Sequence, residues 1–519
     1  MKSSVRLASA WSIPVALLFC GAARAQSLEQ KLVPGSVLGA GAAVDVDGDT
    51  ALVVGAIYPA SCGCSATQGI VYVRTGTSWT EQARVELYTG TGNVIPDAAL
   101  AGDELLLAAD AYTNDLAQIE HYSRSGTTWT DVGNYLNGNI QTALGNAVAI
   151  DGNRFAYTND YGSPNSRVYV HGATNWTLEQ GLAPAGGIAL RGDLLVLTTN
   201  PAPYWGPPCI VRVYHRSGSV WSVIATPLAL GAGRYPVKID EERTIAVGDP
   251  GDDTAGTNAG AVYLLRAESS TWVLWQKILS PSFPGSAGFG AEIAFEGGTL
   301  AVGCGKDDIA ASDAGAVYLF RRNGGWTQQP VLLAPDAALG DRFGNSVALN
   351  GNTLVVGASL DDDAGADSGS AYVFRIDSAA TVYCTAKVNS LGCLPRLDFS
   401  GTPSASSPSS FTISARQVLN NKVGVFFYGL TGRAATAFPG GYRCVGNPVK
   451  RTGTQSSGGN PGPSDCSGVN SIDFNARIQS GVDPNLVAGV QVNAQCWTRD
   501  GGVSGGTLLT DAIEFAIQP

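Results

Sequence analysis

Histidine, methionine and charged residues are all scarce in this 519-residue chain. There are three histidines and one methionine, and Asp, Glu, Lys and Arg together make up 14% of the residues. Catalysis that needs several histidines is therefore nearly excluded, and no nucleophile elbow, P-loop or HExxH pattern occurs. The formal net charge of −11 argues against nucleic acid and anionic membrane surfaces as partners.

The first 25 residues have the plan of a secretory signal peptide. Lys2 and Arg6 precede an apolar run over 7–23, and Ala23-Arg24-Ala25 resembles a cleavage site. No later apolar run reaches the 18 residues of a membrane helix. We therefore expect an exported protein without membrane insertion, either secreted or at the cell surface.

Short strands and turns dominate what is present. The chain has 66 glycines, and Ser, Thr and Asn fill the gaps between short apolar runs, which is typical of an all-β protein. Six tryptophans recur at intervals of 45 to 54 residues, each after a small polar turn. They are Trp79, Trp129, Trp176, Trp221, Trp272 and Trp326.

The last repeat shows its internal order most clearly. FGNSVAL (343–349), a turn at 350–352, TLVVGA (353–358), an acidic loop and GSAYVFR (369–375) follow one another, before a tryptophan-bearing fourth strand in the other repeats. A four-stranded unit of this size must pack against its neighbours, as the blades of a propeller do. SLEQKLV (27–33) matches TLEQGLA (177–183), so this N-terminal strand is predicted to complete the seventh blade and remove an exposed edge.

These repeats resemble the FG-GAP family, best known from the propeller of integrin α chains. GFGAEIA (288–294), RFGNSVA (342–348) and VVGA (53–56 and 355–358) carry the resemblance. It implies a seven-bladed β-propeller over 26–376, with weaker matches in repeats two to four. Integrin-type blades bind calcium through a D-x-D-x-D-G loop, and the acidic loops of this chain depart from that pattern.

A second block follows a short linker at 377–383. Residues 384–519 contain strand-like runs separated by Gly, Ser and Pro turns, and a small disulfide-bearing domain resembling a β-sandwich is expected. YCTAKVNSLGCLP (383–395) and LLTDAIEFAIQP (508–519) resemble a C-terminal module of secreted planctomycete-like bacterial proteins, which implies a bacterial origin.

Acidic loops in repeats five to seven are the strongest candidate site. They occupy the same place in each repeat, so they are expected on one rim of the ring. Carboxylates in Gly-rich loops could bind calcium, whereas Asp also caps turns through its own backbone. The candidate calcium ligands are Asp249, Asp252, Asp253, Asp307, Asp308, Asp313, Asp361, Asp362, Asp363 and Asp367.

Two tempting motifs fall at the predicted turn between the first and second strands. Asp45-Val46-Asp47-Gly48-Asp49 resembles a calcium loop, and Arg191-Gly192-Asp193 resembles an adhesion tripeptide. A hairpin turn explains both, because such turns require glycine for positive φ. His121, His171 and His215 fall in or just after third strands, and we expect them at the surface or edge, too far apart to converge.

The cysteines suggest disulfides in an oxidising compartment. The first-choice pairs are Cys384 with Cys393 and Cys444 with Cys466, since each pair brackets one loop. Cys62 and Cys64 could form a strained local disulfide or be redox-labile. Cys496 is a candidate for the odd thiol, and Cys209 and Cys304 are expected to be buried singly.

The favoured function is a non-enzymatic binding or adhesion scaffold outside the cell. It would contact a protein or polysaccharide through the rim loops, need no cofactor and use calcium only if the acidic loops hold it. The alternative is an exported hydrolase or lyase acting on polysaccharide, which would need two loop carboxylates in one pocket.

Overall fold

A computed structural model describes most of the chain from Gln26 to Pro519. The ranges it does not describe are 1–25, 58–64, 91–93, 112–117, 135–146, 159–165, 173–174, 200–207, 232–234, 241–242, 269–270, 282–287, 324, 377–379, 409, 440 and 504. The predicted signal peptide and the predicted Cys62–Cys64 bond lie outside the described residues.

Seven four-stranded antiparallel sheets form within the described part of residues 26–376. The N-terminal strand β1 (Ser27–Leu32) belongs to the last of them. The first three sheets are β2 (Leu38–Asp47), β3 (Thr50–Ile57), β4 (Ser65–Thr75) and β5 (Ser78–Gly90); β6 (Val94–Ala101), β7 (Glu104–Ala111), β8 (Gln118–Ser125) and β9 (Thr128–Asn134); and β10 (Val148–Asp151), β11 (Arg154–Tyr157), β12 (Ser166–His171) and β13 (Trp176–Leu182).

The remaining sheets repeat this order. The fourth and fifth are β14 (Gly187–Arg191), β15 (Leu194–Thr199), β16 (Cys209–Ser217) and β17 (Val220–Leu230); and β18 (Val237–Ile239), β19 (Ile245–Asp249), β20 (Ala261–Glu268) and β21 (Thr271–Leu279). The sixth is β22 (Glu292–Glu296), β23 (Thr299–Cys304), β24 (Ala316–Asn323) and β25 (Gly325–Gln328). The seventh is β26 (Phe343–Asn350), β27 (Thr353–Ala358) and β28 (Ser370–Arg375), with β1 paired antiparallel to β28.

The first strands of the sheets follow one another around an axis. Contacts run from β2 to β6, β10, β14, β18, β22 and β26 in turn, and β26 contacts β2. Buried Val, Leu and Ile side chains fill the spaces between adjacent sheets. The fold is therefore an all-β propeller in which each sheet buries its faces against its neighbours.

Close backbone contact explains the Phe-Gly signature. Gly344 has φ +90°, and a Cβ there would lie 2.5 Å from the Ala316 carbonyl oxygen in the preceding sheet. A Cβ on Gly303 would overlap the carbonyl of Gly344. Phe343 is fully buried, with its ring 5.3 Å from that of Tyr372. Glycine is thus required where two sheets meet, and phenylalanine anchors the contact.

The C-terminal block contains two further sheets, a hairpin and one short helix. One sheet contains β29 (Thr381–Tyr383), β32 (Val423–Gly429), β35 (Lys450–Arg451), β36 (Gln455–Ser456), β38 (Gln491–Arg499) and β39 (Thr507–Ala516), and the other contains β30 (Arg396–Ser400), β31 (Thr412–Val418) and β37 (Gly468–Asp473). The hairpin is β33 (Arg433–Phe438) with β34 (Gly441–Val445), and the helix is α1 (Phe474–Gln479). Both sheets contribute side chains to one buried cluster, as in a β-sandwich.

The predicted disulfide pairing is wrong, although all four cysteines are bonded. Cys384 pairs with Cys444 and Cys393 with Cys466, with Cα–Cα distances of 6.2 and 6.5 Å. The short loop between the first two cysteines does not close on itself. The Asn389 side chain accepts hydrogen bonds from the Cys393 and Leu391 N–H groups and donates one to the Gln417 carbonyl. These bonds hold the loop against a distant strand, and Cys393 lies next to Cys466.

The remaining described cysteines are unpaired. Cys209, Cys304 and Cys496 are buried free thiols. Burial raises the pKa of all three, that of Cys209 to about 12. They are therefore protonated and packed as small apolar groups.

Candidate binding sites: the acidic loops and the central channel

The acidic loops of sheets five, six and seven share one conformation. The first aspartate of each loop is buried and accepts a hydrogen bond from a tyrosine hydroxyl on the third strand. The O–O distances are 2.6 Å for Asp252 and Tyr263, 2.7 Å for Asp307 and Tyr318, and 2.8 Å for Asp361 and Tyr372. These aspartates therefore hold the loops onto the sheets.

The second aspartate of each loop closes a turn. Asp253, Asp308 and Asp362 accept hydrogen bonds from the N–H group five residues later, at 2.7 to 2.8 Å. The donor residues are Asn258, Asp313 and Asp367, all with φ between 50° and 52°. Asn and Asp tolerate this left-handed backbone better than other non-glycine residues. Backbone geometry thus accounts for the repeated acidic spacing.

Two lysines anchor the first aspartate from the fourth strand. Lys277 lies 2.6 Å from Asp252, and Lys31 of β1 lies 2.7 Å from Asp361 and 2.9 Å from Asp336. Although burial opposes it, hydrogen bonds from the lysines and neighbouring groups lower the pKa of Asp252, Asp361 and Asp336. The same bonds raise the pKa of both lysines, so all these groups are charged at neutral pH.

The outward side of these loops is acidic, and we call it the acidic rim. It consists of five exposed aspartates, Asp253, Asp308, Asp362, Asp363 and Asp367. Asp249 is different, because it is buried and accepts from the Gly251 N–H. No three His, Cys, Asp or Glu side chains among the described residues come together as a metal site, so calcium binding stays a prediction.

A central channel of about 900 Å³ runs between the first strands of the sheets. Asp45, Asp97, Glu292 and Lys238 line it, from β2, β6, β22 and β18. The three carboxyls lie inside the ring and are partly exposed, and Lys238 is exposed. Burial raises the pKa of Asp45 to about 6 and of Glu292 to about 8, and also raises that of Asp97, while Lys238 acts in the opposite direction.

Asp45-Val46-Asp47-Gly48-Asp49 and Arg191-Gly192-Asp193 both form hairpin turns, and each has an aspartate that contacts the next sheet. Asp47 accepts a 2.6 Å hydrogen bond from the Gly102 N–H of the next sheet. Asp151 and Glu296 bind the turn glycines of the following sheets in the same way. In Arg191-Gly192-Asp193, the Asp193 carboxylate pairs with His215 and Arg243. Contacts within the sheet and with the next sheet thus occupy the Asp47 and Asp193 carboxylates.

The expectation for His121 is wrong, because this side chain is fully buried. It pairs with Glu104, and its ring packs 5.2 Å from Trp176 of the next sheet. The His171 ring lies 4.9 Å from the same indole, so the two histidines pack against one tryptophan. Burial lowers the pKa of His121. His171 is exposed and His215 is partly exposed, as expected of surface or edge residues.

A contact between fourth strands explains the repeated Glu-Gln pair. The Gln30 side chain bonds the N–H and carbonyl of Trp79, at 2.8 and 2.9 Å, and Glu29 accepts from its indole N–H. Glu179 and Gln180 bind Trp221 in the same way. The Glu-Gln pair that recurs in 27–33 and 177–183 is the sequence signal of this contact.

Comparison with known proteins supports one repeat directly. An FG-GAP repeat family model matches residues 326–374, which span β25 to most of β28. No curated protein matches the chain. A solved structure described as a novel fungal alcohol oxidase with catalytic diversity among the AA5 family, in complex with copper, is similar at 11% identity and a TM-score of 0.40, covering 95% of this chain and 100% of that chain.

Proposed function

We propose that this protein is an extracellular, non-enzymatic binding scaffold whose acidic rim contacts a protein or polysaccharide. The observation that carries the proposal is the repetition of one rigid loop on three adjacent sheets. In each loop, buried and turn-closing aspartates fix the backbone, and exposed carboxylates remain at the surface. Such a preorganised surface binds without a large loss of conformational entropy.

Charge indicates the chemistry of the partner. The chain carries a net charge of −11, and the acidic rim concentrates exposed carboxylates on one end of the propeller. Carboxylates accept hydrogen bonds and attract cations, so the rim suits a basic protein surface or a hydroxyl-rich polysaccharide.

The location of the protein is consistent with this role. Two disulfides indicate an oxidising compartment, as outside the cell. Within the described ranges, no helix is long and apolar enough to cross a bilayer. Secretion through residues 1–25 remains part of the proposal.

Polysaccharide hydrolysis or elimination is the less supported alternative. It would need two carboxylates free to act on a substrate in one pocket. In the described acidic loops, the first and second aspartates use their oxygens to hold their own loop. No specific observation on the rim favours an enzyme over a binding surface.

A glycan array and a pull-down from cell-surface extracts, each with calcium and with chelator, test the proposal. We expect specific binding in at least one of them. The triple variant Asp253→Asn, Asp308→Asn and Asp362→Asn should lose this binding. Asparagine keeps the oxygen that closes each turn but removes the negative charge. Absence of binding in both assays would contradict the function.

A further inference from the structure

Acidic side chains outnumber basic ones in the described lining of the central channel, which contains Asp45, Asp47, Asp97, Asp151, Glu292 and Glu296 against Lys238 and Arg191. Asp47, Asp151 and Glu296 bind turn glycines of the next sheets, and Lys238 acts on the other three carboxyls. Lys238 has no carboxylate within 4 Å among the residues that the structure describes. Lys238 therefore acts on the three carboxyls from a distance and cannot neutralise all of them.

Two of the carboxyls are oriented by the backbone. Asp45 accepts hydrogen bonds from its neighbour Val46, at 2.9 Å, and from Leu100 of the next sheet, at 2.7 Å. Asp97 accepts in the same way from Ala98 and Val148, at 2.9 and 2.8 Å. Each oxygen accepts one N–H group and keeps a second lone pair for another donor.

Glu292 differs from both aspartates. Its carboxyl makes no hydrogen bond or ion pair with any other residue in the described part of the chain, although it lies inside the protein. Burial, the charge of Asp97 and the absence of a donor all favour its protonated form, and its pKa rises to about 8. A cation beside Glu292 would reverse this preference and release the proton.

The separation of the carboxyls favours an extended cation over a metal ion. Among the described residues, no three carboxylates lie close enough together to coordinate one metal ion. The channel volume, about 900 Å³, is within the range of roughly 300–1,000 Å³ typical of small-molecule sites. An extended molecule with separated ammonium groups could reach carboxyls that a compact ion could not bridge.

We propose that the central channel binds a linear aliphatic polyamine, whose ammonium groups pair with Asp45, Asp97 and Glu292. This site is independent of the acidic rim, because its residues lie on the first strands and not on the loops. Failure of rim binding would therefore leave it intact.

Calorimetric titration of the full chain with spermidine tests the proposal. We expect saturable one-to-one binding that weakens about tenfold or more in Glu292→Gln and in Asp97→Asn, as expected for the loss of a close charge pair. Lys238→Met should bind more tightly, because it removes a competing ammonium. Titration at pH 7 in buffers of different ionisation enthalpy should show proton release in the wild type and less in Glu292→Gln.

Two controls make the test decisive. The rim variant Asp253→Asn, Asp308→Asn and Asp362→Asn removes three charges elsewhere and should bind spermidine as the wild type does. Circular dichroism should show that each channel variant is folded. Absence of binding, equal affinity in Glu292→Gln, or equal displacement by calcium at the same concentration would overturn the proposal.

Discussion

At the scale of single residues, the polar side chains that recur in the described repeats bind other parts of the propeller. Asp252, Asp307 and Asp361 each bind a tyrosine hydroxyl, and Gln30 binds the backbone of Trp79. Buried polar groups are costly unless they are hydrogen-bonded, so these contacts explain why the residue types recur. Glu292 differs, since its carboxyl lies in the channel, partly exposed and without a hydrogen-bond donor among the described residues.

Glu292 should make the stability of the protein depend on pH. Its folded-state pKa of about 8 exceeds the ordinary value of 4.5, so the folded protein holds a proton that the unfolded chain releases. Stability should therefore fall as pH rises between about 4.5 and 8. Glu292→Gln should melt at least about 2 °C above the wild type at pH 9 and close to it at pH 5.

Thermal unfolding followed by circular dichroism at both pH values measures this effect. Glu268→Gln is the matched control, because Glu268 is exposed and pairs with Arg266 at the surface. The control should follow the wild type at each pH. Superimposable melting curves for Glu292→Gln and the wild type at pH 9 would show that the carboxyl is already compensated.

At the scale of elements, β1 has a special place, because it reaches its sheet without a covalent turn. Its partner β28 lies more than 300 residues later in the chain. Lys31 fixes it through Asp361 and Asp336, and its ammonium lies 5.0 Å from the Tyr372 ring centre. Lys277 of β21 makes the corresponding contacts with Asp252 and with Tyr263 of β20, and β21 follows β20 directly in the chain.

Lys31→Met should destabilise the docking of β1. Removing the ammonium leaves buried Asp361 without its cation, which costs about 3 kcal/mol. Hydrogen exchange should increase in β1 and β28 and should stay unchanged in β21. Lys277→Met is the control, and β1 should keep its protection there. Equal protection of β1 in the Lys31→Met variant and the wild type would contradict this role.

Acid should diminish the difference between Lys31→Met and the wild type. The folded-state pKa values of Asp361 and Asp336 are below the ordinary 3.8, so their stabilisation is present above about pH 4 and lost as pH falls further. Chemical unfolding at pH 7 and pH 3 measures the change. A difference as large at pH 3 as at pH 7 would contradict the ion-pair explanation.

The disulfides link distant segments of the C-terminal block. Cys393 and Cys466 are 73 residues apart, and replacing both by serine should reduce the stability of the block by about 2–4 kcal/mol. Chemical unfolding measures this loss, with Cys304→Ala in the propeller as the control. Peptide mapping without reductant should join Cys384 to Cys444. A Cys384–Cys393 peptide would contradict the structure.

At the scale of the whole molecule, the sequence predicted the repeats but not the contacts between them. Tryptophan spacing and the match between 27–33 and 177–183 predicted a repeated four-stranded unit, because these patterns are local. Asp97, Lys238 and Glu292 share no motif, and the ring alone brings them into one channel. Burial of His121 likewise depends on Trp176 in the next sheet. The disulfide partners were not predictable either, because they depend on where the loop from Cys384 to Cys393 lies in the folded domain.

The acidic rim is the feature of the whole molecule on which the proposed function depends. Affinity for the captured protein or glycan, measured by surface plasmon resonance, tests it most directly. The control is Asp49→Asn, Asp103→Asn and Glu268→Gln, which removes three exposed charges at the other end of the strands. We predict that Asp253→Asn, Asp308→Asn and Asp362→Asn weakens binding about tenfold or more and that the control binds as the wild type does. Equal affinity of the two triple variants would contradict binding through the rim.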